Sequence, residues 1–260
     1  MPNYLSNSPT TVSEAIERIA QPDGSVSGGP FGRIVMTPDG RPIRSIITGR
    51  RRLVTGSYAS RKARRAMPHE SMNELSFFHE SEVDTYVVDY RAQPFRLEFI
   101  LGGQLRTYIA DCARLLSDGA IEVIEIKGDY RHTSDEHYAT KLEAVGEFCH
   151  RLGWQFRIVV PENTVAARVR HENIHLIQSR RMVSYAASHC YLALNLLQRE
   201  NGEASLAQVA RALGDSRAGT SIAMAMMVGR VLDIELDRPI SADSRVAAVD
   251  SMNMREGAAQ

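Results

Sequence analysis

Between Thr85 and Val160 short apolar runs alternate with strong turn signals, and that alternation restricts the fold more than any other feature of the chain. Strands are expected at Thr85–Tyr90, Phe95–Leu101, Leu105–Cys112 and Ala120–Lys127, with Gly102-Gly103 and Asp118-Gly119 as hairpin turns between them. A helix is expected from Ser134 to Leu152, where Tyr138, Leu142, Val145, Phe148 and Leu152 recur at helical spacing. Trp154–Val160 reads as one more strand, and its place after a helix predicts a crossover back onto the sheet. Upstream, Pro68 can open a helix lasting to about Glu80, anchored by Met67, Leu75 and Phe78. The expected fold class is therefore α/β, a mixed sheet flanked by helices.

Three charged residues lie at the ends of these strands. Asp111 closes one segment, and Glu125 and Lys127 lie in the run Val123-Ile124-Glu125-Ile126-Lys127-Gly128 on the next. Successive side chains of a strand alternate faces, so Glu125 and Lys127 project together, about 6.6 Å apart at a rise near 3.3 Å per residue. Ile124 and Ile126 are expected on the opposite, buried side. Carboxylates gathered beside an ammonium suit divalent-metal phosphodiester hydrolysis. The acids supply hard oxygen ligands, and the lysine steers water or offsets charge growing on phosphorus. The helix with Glu70 and Glu74 offers a third acid, although a carboxylate on a surface helix is ordinarily just solvated, and Glu80 and Glu82 follow closely. Gln93, Lys141, His132 and His137 have bland readings as turn, helix-surface and loop residues. No serine sits in a nucleophile-elbow context, which argues against Ser/His catalysis.

Charge distribution says more than net charge, which is zero from 31 basic and 31 acidic residues. From Arg41 to Arg65 there are nine basic residues and no acid: Arg41, Arg44, Arg50, Arg51, Arg52, Arg61, Lys62, Arg64 and Arg65. Such a block can follow a phosphate backbone and gain affinity through counterion release. Arg50, Arg51, Arg52, Arg61, Lys62, Arg64 and Arg65 are the candidate DNA contacts, with a solvated basic loop as the alternative. Three widely spaced cysteines form no metal knuckle, and no apolar run approaches the roughly 20 residues of a membrane span, so a cytoplasmic setting is expected.

The flanks organise differently. Residues 1–56 are expected to be a flexible arm with a short helix from Thr11 and a basic hairpin, Arg33–Met36 against Arg41–Ile47, turning at Thr37-Pro38-Asp39-Gly40. Residues 57–161 would form the α/β domain, with a boundary at Pro161-Glu162. Residues 162–248 read as mainly helical, with helices at Glu172–Ser179, Val183–Glu200, Leu206–Leu213 and Thr220–Val231. A Ser205-x-x-Gln208 capping box opens the third, and a small terminal ribbon suggests a winged helix. A plain helical bundle is the alternative. Residues 249–260 are expected to be a mobile tail.

Taken together, Glu70-Ser71-x-x-Glu74, Val87-Val88-Asp89-Tyr90-x-x-Gln93-Pro94, Tyr108-x-x-Asp111 and Glu125-x-Lys127 resemble the TnsA family, the restriction-like endonuclease subunits of heteromeric cut-and-paste transposases. The resemblance covers roughly residues 57–160. It implies a PD-(D/E)XK nuclease using Mg²⁺, with Mn²⁺ as a substitute. Glu74 would be the helix-borne ligand (Glu70 if the alignment slips), Asp111 the central one, Glu125 and the Ile126 carbonyl further ligands, Lys127 the catalytic lysine and Gln93 a supporting residue. Two places depart from the family pattern: Glu125 stands where the family can have glutamine, and Ala110 where proline is usual. Implied partners are double-stranded DNA, a DDE-type transposase subunit and an AAA+ ATPase regulator, with a homodimer left open. The rival readings are a stand-alone restriction or defence nuclease and a non-catalytic DNA-binding assembly protein on a nuclease scaffold.

Overall fold

The computed structural model describes residues 9–19, 32–37, 40–44, 54–128, 136–161 and 164–249. Arg50, Arg51, Arg52, His132 and residues 250–260 of the expected C-terminal tail lie outside the described residues. Contacts divide the chain into one unit of Met1–Ala59, Ala63–Phe78 and Val87–Pro161 and a second of Ser60–Lys62, His79–Tyr86 and Glu162–Gln260. In chain order the first unit draws on α1 (Val12–Glu17), β1 (Gly32–Val35), β2 (Gly56–Ser60), β3 (Arg65–His69) and the start of α2 (Met72–Val83). It continues with β4 (Val87–Ala92), β5 (Arg96–Leu101), β6 (Gln104–Ile109), β7 (Cys112–Leu116), β8 (Ile121–Ile126), α3 (Glu136–Arg151) and β9 (Gln155–Val159).

One sheet runs β4-β7-β8-β9, another β1-β5-β6, and β2 pairs with β3. In these two larger sheets β1–β5, β5–β6, β4–β7 and β7–β8 pair antiparallel, whereas β8 pairs parallel with β9, the pair joined through α3, as a crossover requires. Gly102 and Gly103 take φ of 59° and 73°, the left-handed pair that a tight β5–β6 hairpin demands.

The expected strand Leu105–Cys112 ends early: β6 stops at Ile109, and Cys112 opens a separate strand, β7, that runs to Leu116 in another sheet. β4 pairs with β7 and β5 with β6, so β4–β5 and β6–β7 form one long antiparallel ribbon that bends at Gln93–Phe95 and Ala110–Asp111. At the bend the Gln93 N–H donates to the Asp111 carbonyl at 3.0 Å, and Gln93 adopts φ 44°. A left-handed residue there turns the chain from one sheet into the next, at a cost of about 1–3 kcal/mol for a non-glycine.

The expected basic hairpin does not form among the described residues. Gly40 N–H does bond to the Thr37 carbonyl at 3.0 Å, while Pro38 and Asp39 lie outside the described residues. Yet β1 pairs with β5, Ile34 opposite Leu97, and residues 40–44 make no strand. Pairing with β5 buries both Ile34 and Leu97, which a short polar hairpin could not do. The arm is likewise part of the core over its described residues. Val12, Ala15 and Ile16 of α1 pack in one cluster with Phe95, Leu97, Tyr108, Val123, Leu142, Val145 and Trp154. Asp89, buried on β4, accepts the Val12 N–H at the start of α1 at 2.8 Å and pairs with Arg91 at 3.0 Å.

The second unit takes the end of α2 and then α4 (Val165–Gln178), α5 (Ala187–Arg199), β10 (Glu203–Ser205), α6 (Leu206–Ala212), α7 (Ser216–Val228), β11 (Leu232–Ile234) and β12 (Arg245–Ala248). Its sheet runs β10-β12-β11. The Ser205–Gln208 capping box closes reciprocally at the start of α6, with Gln208 N–H on Ser205 Oγ at 3.3 Å and Ser205 N–H on Gln208 Oε1 at 2.9 Å. At Gly219 a Cβ would lie 2.0 Å from the Ala210 carbonyl oxygen, so only glycine lets α7 approach α6 this closely. Buried Asn173 ties α4 to the segment after β11 by donating to the Leu236 and Arg238 carbonyls at 2.8 and 2.6 Å.

Candidate active site

The ribbon's bend and the end of β8 bring Asp111, Glu125 and Lys127 together. Asp111 Oδ2 accepts the Ile126 N–H at 2.8 Å, which fastens the bend to β8. Lys127 Nζ lies 2.6 Å from Glu125 Oε1, so the two side chains do share a face. That face is the core-facing one. Glu125 alternates with Ile121 and Val123, which pack with Leu142 and Val145 of α3, whereas Ile124 is buried on the other side with Glu122. Glu122 is no competitor for the site, because Arg114 and Arg157 neutralise it at 2.6 and 2.7 Å.

Two tyrosines complete the surroundings of Glu125. Tyr108 Oη donates to Oε2 at 2.7 Å from β6, and Tyr138 Oη donates to Oε1 at 2.5 Å from α3. The Lys127 ammonium also sits 4.6 Å from the centre of the Tyr138 ring. Sequence reasoning placed Tyr108 only within a motif and Tyr138 only on an apolar helix face. Their hydroxyls were invisible to it because hydrophobic periodicity counts a tyrosine as apolar.

Glu74 stands in the first turn of α2 and has its own task there. Its carboxylate accepts the Glu70 N–H at 2.8 Å and the Ser71 hydroxyl at 3.2 Å, while Glu74 N–H donates to Ser71 Oγ at 3.1 Å. Ser71 thus caps the first turn, and the carboxylate folds back onto the backbone one residue ahead of it, at Glu70. The turn is nonetheless near the site: a Cβ on Gly128 would lie 3.7 Å from Asn73 Nδ2, and the charge of Glu74 acts on Asp111. Gln93 is buried, and its Oε1 has no hydrogen-bond partner among the described residues.

Burial, reinforced by the charges of Glu125 and Glu74, pushes the Asp111 carboxyl up to about 7 against the opposing Ile126 N–H and Lys127. Burial alone would lower Lys127, but its bonds to Glu125 and Tyr138 prevail and raise it to about 12. Lys127 is therefore a fixed cation at neutral pH, not a proton acceptor. Burial also raises Glu74, against the two capping donors. Among the described residues no three His, Cys, Asp or Glu side chains are gathered as a ready metal cage. Glu125 is the acid whose charge acts most strongly on Asp111.

The basic block divides. Arg61 Nη1 donates to the Arg181 and Val183 carbonyls at 2.9 and 3.0 Å and its guanidinium stacks 4.7 Å from the Tyr185 ring centre. Lys62 Nζ donates to the Ser81 and Asp84 carbonyls at 3.0 and 2.5 Å, capping the end of α2, and Arg65 donates to the Gly40 carbonyl. Arg64 is exposed.

Comparison with known proteins bears on part of the chain. The profile of the family described as TnsA-like endonuclease N terminal matches residues 84–160. That span holds Gln93, Asp111, Glu125 and Lys127 and leaves Glu74 outside. Among solved structures, the crystal structure of protein VC1899 from Vibrio cholerae is similar at 17% identity with a TM-score of 0.24, covering 39% of this chain and 27% of that one. No curated protein matches the chain. Over residues 84–160, then, the chain carries a TnsA-like endonuclease N-terminal domain.

Proposed function

We propose that the protein is a Mg²⁺-dependent DNA endonuclease of the PD-(D/E)XK type, cutting one strand at transposon ends as the TnsA-like subunit of a cut-and-paste complex. The observation that carries this reading is the meeting of Asp111, Glu125 and Lys127 at one sheet end inside the matched span. The donor set fits a hard divalent ion. Its donors are carboxylate oxygens, and the burial and neighbouring carboxylates that together lift Asp111 to about 7 are what a bound cation would offset. Asp111, Glu125 and the Ile126 carbonyl would hold the ion, joined by Glu74 on leaving its cap. When bound, Mg²⁺ polarises the phosphate and makes its water a stronger nucleophile at neutral pH. Lys127 keeps a positive charge beside Glu125 and offsets negative charge growing on the phosphoryl oxygens.

Phosphate contacts in this reading fall to Arg64 and to the neighbouring block 50–52. Arg61 and Lys62 hold protein carbonyls instead. The order helix, strand, two helices, two strands, with the last strand between the others, supports a winged-helix reading of the second unit. Its β11–β12 segment mixes Asp233, Glu235 and Asp237 with Arg238 and Arg245, Glu235 and Asp237 pairing with Arg238 and Arg170, and α5 exposes Tyr191, Leu192 and Leu194. Such a surface suits a protein partner, here the DDE-type transposase or the AAA+ regulator, better than a phosphate backbone.

Nicking of end-containing DNA with Mg²⁺, with and without those partners, tests the proposal. Cleavage should require the partners, and Lys127→Ala should abolish it while DNA retention persists. Cleavage by Lys127→Ala at the parent rate would overturn the catalytic reading, and vigorous cutting by the lone chain would favour a stand-alone nuclease.

A further inference from the structure

Glu125 is held by three donors, from α3, from β6 and from the residue that follows β8. Tyr138 Oη of α3 and Lys127 Nζ both reach Oε1, at 2.5 and 2.6 Å, and Tyr108 Oη of β6 reaches Oε2 at 2.7 Å. A carboxylate offers about four acceptor positions, two on each oxygen. Among the described residues, Oε1 is therefore full and Oε2 keeps one position open. Glu125 is only 3% exposed, so bulk water cannot supply the missing orientation. Tyr108 is itself fixed edge-on against Phe156, with ring centres 6.2 Å apart, and Tyr138 is fixed by the ammonium over its ring. The two hydroxyls thus set both the plane and the rotation of the carboxylate, between a strand and a helix.

We propose that Tyr108 and Tyr138 are positioning residues that lock Glu125 so that the open position on Oε2 is where the site takes its hard divalent cation. The inference rests on the nuclease reading above and specifies which oxygen of Glu125 serves it. Neither tyrosine is a ligand. Each acts through Glu125, as outer-shell donors to ligating carboxylates do, and losing such a donor typically weakens metal binding about 10- to 100-fold.

Thermal melting of the full chain, titrated with MgCl₂ and separately with MnCl₂, reads this without recourse to catalysis. Tyr138→Phe removes one hydroxyl and keeps the ring under Lys127. Tyr108→Phe does the same on Oε2 with an almost identical shape. Each variant should keep a metal-induced rise in melting temperature but need about 10-fold more metal to reach half of it. Nicking at saturating metal should recover most of the parent rate in Tyr138→Phe, since Lys127 keeps its seat. Parent-like metal midpoints in both variants, with the parent protein responding normally, would overturn the positioning role and leave the nuclease reading intact. A parent protein whose melting ignores both metals would overturn this inference together with the metal dependence it rests on.

Discussion

Asp111 concentrates the electrostatic cost of the site, and that cost sets a pH dependence. Its carboxyl titrates near 7 in the folded protein, against an ordinary 3.8. Between those values the folded state holds a proton that the unfolded chain has released. Stability therefore falls as pH rises through that window, the reverse of an ion-paired carboxylate. In chelator, melting temperature should drop from about pH 5 to about pH 8, and Asp111→Asn should flatten that slope and melt higher at the alkaline end. Equal slopes in both proteins would show that Asp111 is not the strained group. The arginines separate in the same way. Arg61→Ala removes two bonds to carbonyls and a stacked ring, so it should cost roughly 1–3 kcal/mol of stability and leave the salt dependence of DNA binding unchanged. Arg64→Ala should do the opposite, reducing the slope of log affinity against log salt by about 1. Sequence alone could not divide these two residues, because a charge run records cations without saying which of them meet carbonyls. It did show the acids and the lysine, since alternation along a strand puts Glu125 and Lys127 on one face whatever the tertiary fold.

At the scale of elements, α1 is the place where expectation and structure part most clearly. A six-residue amphipathic helix ahead of a Gly- and Ser-rich stretch reads as an arm, yet Val12 and Ile16 are wholly buried. The anchor is Asp89, a residue 77 positions away that accepts the Val12 N–H, and no local pattern reveals such a partner. Ile16→Ala should cost about 2–5 kcal/mol, the range for a buried aliphatic truncation, where an arm residue would cost almost nothing. A chemical-denaturation shift below about 0.5 kcal/mol would return α1 to the status of an arm. The ribbon's bend was equally hidden. Leu105–Cys112 looks continuous because no glycine or proline interrupts it, and only Gln93-Pro94 on the opposite strand hints at a corner. Helices α3 to α7 were legible within a few residues at most ends, since apolar periodicity and the Ser205 cap are local signals. The strongest miss among them is α4, which starts at Val165, seven residues ahead of the expected Glu172.

For the molecule as a whole, the two cores do not follow the chain in the simple order that the sequence suggests. The composition change at Pro161 is real, but the second unit also needs two segments from far upstream. Val83 is fully buried in the cluster formed by Ile177, Leu197, Val209, Met227 and Ile234. Ser60 Oγ and the Arg61 N–H converge on Glu82 at 2.6 and 2.7 Å, Arg230 Nε donates to the Thr85 carbonyl at 2.8 Å, and Arg61 spans the carbonyls of Arg181 and Val183. A fragment cut at the apparent boundary, residues 162–249, would expose the surface that Val83 covers. It would also leave the Arg230 guanidinium and two backbone carbonyls without their partners. Losing one buried aliphatic contact and several hydrogen bonds removes a few kcal/mol, a large share of the 5–15 kcal/mol that holds a domain folded. The fragment should therefore lose its cooperative melt or melt far below the corresponding transition of the full chain, as followed by circular dichroism. Rejoining residues 79–86 through a flexible linker should recover part of the loss, and Val83→Ala in that fusion should cancel most of the recovery. A bare fragment that melts as high as the same unit in the intact protein would mean that the upstream segments merely lie against it, and that the boundary at Pro161 is structural after all.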